Sequence, residues 1–181
     1  MADVDIVEFI PTSLGATTTG TFAWKFDGSD VGLSSSSEDI DALYLLSDGS
    51  LLISARNAVT VTGASGQDED LLRFVASSWG STTRGAWSLY FDGSDVGLST
   101  SSNEDVDALW VDEGAAEQPD IYLGTLGSFA VTGVSGTKQD IFVFSPTALG
   151  STTSGTYRST LFLDGSLFGL GAYDIDAFDV R

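Results

Sequence analysis

The sequence predicts an all-β protein, a propeller-like array of four-stranded antiparallel blades, with a β-sandwich as the alternative. Three observations carry this. The octapeptide FDGSDVGL stands at 26–33 and again, unchanged, at 91–98, and a third version, LDGSLFGL, stands at 163–170. Helical spacing of apolar residues is absent throughout, while aromatic and aliphatic residues alternate with polar ones. The 21 glycines and the dense serines and threonines supply turn chemistry rather than helix chemistry.

The elements follow in order from the repeat. Asp5-Ile6-Val7-Glu8-Phe9 reads as a strand and returns at Asp70–Phe74 and Asp140–Phe144. This divides one domain, 1–181, into repeats of approximately 5–69, 70–139 and 140–181, the last incomplete. After each opening strand comes a glycine-threonine linker: SLGATTTG at 13–20, SWGSTTRG at 78–85 and ALGSTTSG at 148–155. An aromatic strand then runs into Asp-Gly: TFAWKFDG at 21–28, AWSLYFDG at 86–93 and TYRSTLFLDG at 156–165. Next is an acidic knot, EDIDAL at 38–43, EDVDAL at 104–109 and YDIDAF at 173–178, opening strands expected over Ile40–Leu46, Val106–Val111 and Ile175–Val180. Ser47-Asp48-Gly49-Ser50 is a tight-turn signal, so Ile40–Leu46 and Leu51–Ser54 form a hairpin. Repeat two carries the same hairpin with a longer tip, Asp112 to Asp120, before Ile121–Leu123. Short segments at 58–66 and 129–136 close the first two repeats.

If a blade begins at the acidic knot, two whole blades result, 39–92 and 105–164, with the knot strand innermost. That order resembles the blades of NHL-type propellers. Two strands are left at the N-terminus and one at the C-terminus. Three blades are too few for a ring, since propellers run from about four to eight. Assembly is therefore expected: a homo-oligomer, with two chains giving six blades, each composite blade missing one strand. A chain that is an excerpt of a longer array fits the same pattern.

Composition narrows the partners. Seven Lys and Arg against 26 Asp and Glu give a formal charge of -19. Such a surface repels phosphate backbones and anionic headgroups, which argues against nucleic acid and favours cations. No apolar run reaches the roughly 18–20 residues of a membrane helix, so membrane insertion is not expected. The start, MADVDIVEFIP, lacks the basic and apolar regions of a secretory signal. With no Cys and no His there is no disulfide framework, thiolate metal site or Ser-His-Asp triad.

The pattern DLLxF, LGxTTxGT, FDGSDVGL, EDIDAL, DGSLLIS resembles an uncharacterised repeat of large bacterial surface or secreted proteins that also carry calcium-binding and adhesion-type repeats. The resemblance covers nearly all of residues 5–181 and brings no assigned catalytic residue. It implies an extracellular or surface-associated location. The third copy departs from it at Leu167, where the others have Asp, and at Tyr173, where they have Glu.

Half of the 26 carboxylates lie in three short stretches. The full sets are Asp27, Asp30, Glu38, Asp39 and Asp41, then Asp92, Asp95, Glu104, Asp105 and Asp107. Asp164, Asp174 and Asp176 form the reduced third set. Two readings stand side by side. Calcium (Ca2+) takes 6–8 oxygens, roughly, from carboxylates and carbonyls, and a DGSD loop offers both, giving one cation site per full repeat. Alternatively, the same side chains cap backbone N–H groups in Asx-turns, with no metal needed. The spacing matches neither the EF-hand loop nor the calcium-binding nonapeptide.

Among the aromatics, Phe22, Trp87 and Tyr157 are equivalent, and core packing between blades is their bland reading. The sharper one is sugar stacking, with Trp79 and Trp87 as ligand-binding candidates and glycans as partners. A glycoside hydrolase using paired carboxylates such as Asp41 and Asp107 is the remaining alternative. It is disfavoured because a set that recurs in every repeat reads as scaffold. The expectation is thus a non-catalytic structural or adhesive repeat module that self-assembles through incomplete blades, with calcium as its one candidate cofactor.

Overall fold

The computed structural model describes residues 1–99, 101–114 and 118–180. Within these the chain is all-β. A hairpin, β1 (Ile6–Ser13) and β2 (Thr19–Phe26), stands first as a two-stranded sheet. Strands β3 (Ile40–Leu45), β4 (Leu51–Ala55), β7 (Leu71–Ser78) and β8 (Arg84–Phe91) form one antiparallel sheet in the order β3-β4-β7-β8. Strands β9 (Val106–Asp112), β10 (Asp120–Thr125), β13 (Phe142–Ala148) and β14 (Ser154–Tyr157) form a second in the order β9-β10-β13-β14. No closed ring is present among the described residues.

These are the two four-stranded units that the knot-first frame expects. The turn at Ser47–Ser50 closes the β3–β4 hairpin, with Leu43 opposite Ile53 and Gly49 at a φ of +83°. Asp48 accepts from both the Ser50 amide and hydroxyl, the local bonding that makes Asp a turn former. Strands β3 and β9 lie against one another, and Tyr44 meets Trp110 edge-on with ring centroids 6.4 Å apart.

Three features differ from expectation. The closing segments fold as small separate hairpins, β5 (Val59–Val61) with β6 (Ala64–Gly66), and β11 (Phe129–Val131) with β12 (Val134–Gly136). Each Asp-Gly motif coils into a 3-10 turn, over Gly28–Val31, Ser94–Val96 and Gly165–Phe168. The strand expected over Ile175–Val180 is not formed. Its edge meets no equivalent of β4 among the described residues, and a strand needs a ladder partner. The segment still packs: Ile175, Phe178 and Val180 cover Tyr122, Ile141 and Val143. Part of the long tip between β9 and β10 lies outside the described residues.

The core consists of residues from the alternate faces of the paired strands. Leu52, Leu71, Phe91, Ile121, Leu123, Phe142 and Phe144 join both sheets in one cluster. A second cluster couples the N-terminal hairpin to the first sheet through Phe26, Phe74 and Trp87. Phe26 meets Phe74 at 5.3 Å, and Phe91 meets Phe144 at 5.3 Å, the same contact one repeat later.

Candidate functional site

The repeated motif is a clasp between successive units. The Asp27 N–H donates to Thr83 Oγ1 at 2.9 Å, and the Thr83 hydroxyl donates to the Gly80 carbonyl at 2.7 Å. The Thr83 N–H in turn donates to Asp30 Oδ2 at 2.8 Å. One unit on, Asp92, Asp95, Gly150 and Thr153 repeat the three bonds in the same order, at 2.9, 2.8 and 2.9 Å. The clasp works because Gly80 and Gly150 turn the linker at φ +98° and +96°, in the left-handed region that favours glycine. So the glycine-threonine linker, read from sequence as a turn, is the receiving half of an interface.

Other carboxylates are spent the same way. Glu38 accepts from the Ser34 and Ser35 amides at 2.7 and 2.8 Å. Glu104 accepts from Ser99 N at 3.0 Å and from Ala130 N at 3.1 Å. Asp27 and Asp92 each hold the serine hydroxyl two residues on at 2.7 Å. Among the described residues no group of three or more His, Cys, Asp or Glu is gathered to hold a metal ion. The ten residues named as candidate ligands thus fall into separate places. Asp27, Asp30, Asp92 and Asp95 lie at the clasps, and Glu38 and Glu104 inside the serine loops. Asp41 and Asp107 lie on β3 and β9, and Asp39 and Asp105 stand just before those strands.

That last set is electrostatically uncomfortable. Asp105 and Asp107 are buried, and one oxygen of each, like one of Asp41, has no hydrogen-bond partner. Burial is the main cause that pushes Asp105 up to about 8, helped by the charges of Asp41, Asp68 and Asp107 and opposed by Arg56. Burial also pushes Asp41 and Asp107 up to about 7, with Asp39 adding to the first and Asp174 to the second. Glu69, fully buried beside Asp68, is raised to about 7 by the same desolvation.

Sequence reasoning missed a more regular set. Asp5, Asp70 and Asp140, taken only as the first residues of strands, each accept two backbone N–H groups. Asp70 binds Gln67 N at 2.8 Å and Gly93 N at 2.8 Å. Asp140 binds Thr137 N at 2.8 Å and Gly165 N at 3.1 Å. Asp5 binds Ala2 N at 2.5 Å and Gly28 N at 3.1 Å. They tie the entry of each opening strand to the Asp-Gly turn that follows the aromatic strand of the same repeat. The available signal was their presence in all three copies, including the third, where Asp30 and Asp95 become Leu167.

The aromatic candidates divide. Trp87 is buried against Phe26 and Phe74, and its indole N–H donates to the Val31 carbonyl at 3.0 Å. Its role in the structure is packing across the clasp. Trp79 is half-buried on Phe26 and Phe74, with the Lys25 ammonium 5.3 Å from its ring. Beside each clasp runs an open groove. One, of about 590 Å³, lies between the first 3-10 turn, Thr62 and the start of β8. Its counterpart, of about 650 Å³, lies between the second 3-10 turn, Thr132 and β14. Comparison with protein-family models, curated proteins and solved structures finds no match.

Proposed function

We propose that the chain is a non-catalytic structural or adhesive repeat module, an array of propeller-like blades that self-associates through its incomplete ones. The observation that carries this is the state of the N-terminal hairpin. Strands β1 and β2 correspond to β7 and β8, yet they stand without counterparts of β3 and β4. Ile10, Phe22 and Trp24 are exposed there, and the outer edge of β1 is unpaired among the described residues. An open edge beside exposed aromatics is a template for another chain. The segment Ile175–Val180, which has no ladder partner among the described residues, is the complementary deficiency.

The non-catalytic part rests on recurrence: Asp41 and Asp107, the pair considered for glycoside hydrolysis, hold equivalent places in successive repeats, as a scaffold element does. A surface location and an adhesive role belong to the same proposal, supported by the motif resemblance. The experiment is sedimentation velocity of the intact chain over a wide concentration range, in which the mass of the particle should rise with concentration.

The duplicated grooves favour carbohydrate binding as a second reading, since they offer hydroxyls and a carboxylate beside Trp87 or Tyr157. Filling both with Thr62→Trp and Thr132→Trp should abolish glycan binding. Binding that survives both changes, or a chain that binds no glycan at all, counts against this reading.

A further inference from the structure

The clasp is made twice, and one further half of each kind, Gly15–Thr18 and Asp164–Leu170, meets no counterpart among the described residues. We infer that these halves join, so that the Leu163–Leu170 turn of one copy seats on the Leu14–Gly20 linker of a second copy. This rests on the self-association reading above and specifies which surfaces meet.

The receiving half is already shaped. Gly15 has a φ of +111°, in the same region as Gly80 and Gly150. The Thr18 hydroxyl donates to the Gly15 carbonyl at 3.1 Å, as Thr83 does to Gly80 and Thr153 to Gly150. What differs is cover. Thr83 and Thr153 are 1% and 4% exposed, whereas Thr18 is exposed. Phe22 is 70% exposed where its equivalent Trp87 is 7%. Leu14 is 74% exposed where Trp79 and Leu149 are half-buried.

The donating half is equally bare. Leu163 and Leu170 are only half-buried, although their equivalents Phe26, Phe91, Leu33 and Leu98 are buried. The 3-10 turn is formed, with the Asp164 side chain accepting from Ser166 N at 3.1 Å. In the joined state the Asp164 N–H donates to Thr18 Oγ1 of the second copy, as Asp27 does to Thr83. Leu167, which is 76% exposed, replaces the carboxylate that receives the threonine N–H in both internal clasps. The contact between copies is therefore the same clasp with one charged hydrogen bond missing, and weaker than the two within the chain. Because the two faces differ, the contact is head-to-tail and builds rings or open chains rather than an isologous pair.

Leu167→Asp discriminates this from unspecific apolar contact. At about 0.15 M salt, where distant charges are screened, restoring the acceptor should tighten self-association roughly tenfold, the effect of one hydrogen bond to a charged group. Thr18→Val, at an exposed site, should weaken it severalfold. Both are read by sedimentation against the unaltered chain, with circular dichroism confirming the fold. If the unaltered chain associates but Leu167→Asp weakens it, or neither variant changes it, this clasp is wrong while self-association stands. If the unaltered chain remains a monomer throughout, both the clasp and the reading beneath it fail.

Discussion

Asp70→Ala should be among the most damaging single changes in this chain, with a loss of about 2–4 kcal/mol. The side chain is buried and accepts from Gln67 N and Gly93 N, so its removal leaves two donors without an acceptor. A cavity beside Gly66 and Gly93 adds to the cost. The cost is moderated because burial already raises the Asp70 pKa, so some electrostatic strain is released with the carboxylate. In a chain of this size the loss corresponds to a fall in Tm of roughly 5–15 °C. Asp70→Asn retains one acceptor oxygen and should fall between the two. Thermal melts of the three proteins check the order. An Asp70→Ala variant as stable as the parent would show that these bonds do not hold the unit together.

Asp105→Asn should act in the opposite direction. Asp105 is buried with one oxygen unpartnered, and in its ionised form it faces the charges of Asp41, Asp68 and Asp107. An amide at this position is neutral and can donate to one of those carboxylates. The expected gain at pH 8 is roughly 1–3 kcal/mol, because an uncompensated buried charge is removed.

The pH dependence has a definite sign. Burial raises the folded-state pKa of Asp105 to about 8 and those of Asp41 and Asp107 to about 7, against an ordinary 3.8. Between these limits the folded chain binds more protons than the unfolded one. The contribution of these groups is full below the ordinary value and is lost as pH rises through about 7 to 8. Melts from pH 5 to pH 8 should therefore show Tm falling in the parent and falling less in Asp105→Asn. A parent whose Tm rises over this window would mean that the carboxylates are not held in the environment described here.

Much of the architecture was legible because it is written more than once. The hairpin at Ile40–Ser54 and the knot-first frame follow from alternation and from Asp-Gly turns, which are local. The clasp was not legible, because Asp27 and Thr83 are 56 residues apart and nothing local announces their bond. The short hairpins at 59–66 and 129–136 escaped for another reason. Three-residue strands carry too little alternation to separate from a turn. Trp87 illustrates a third limit, since periodicity places a side chain on a face but does not say what covers that face. The acidic clusters were visible as composition, but their division into turn caps, clasp acceptors and buried strand carboxylates depends on tertiary placement.

The proposed assembly requires two exposed half-interfaces to fit each other as their internal equivalents do. Analytical ultracentrifugation of the unaltered chain, from sub-micromolar to high concentration, addresses this most directly. The account predicts monomer at the dilute end and a growing population of head-to-tail species above it. A single monomeric boundary at every concentration would contradict it.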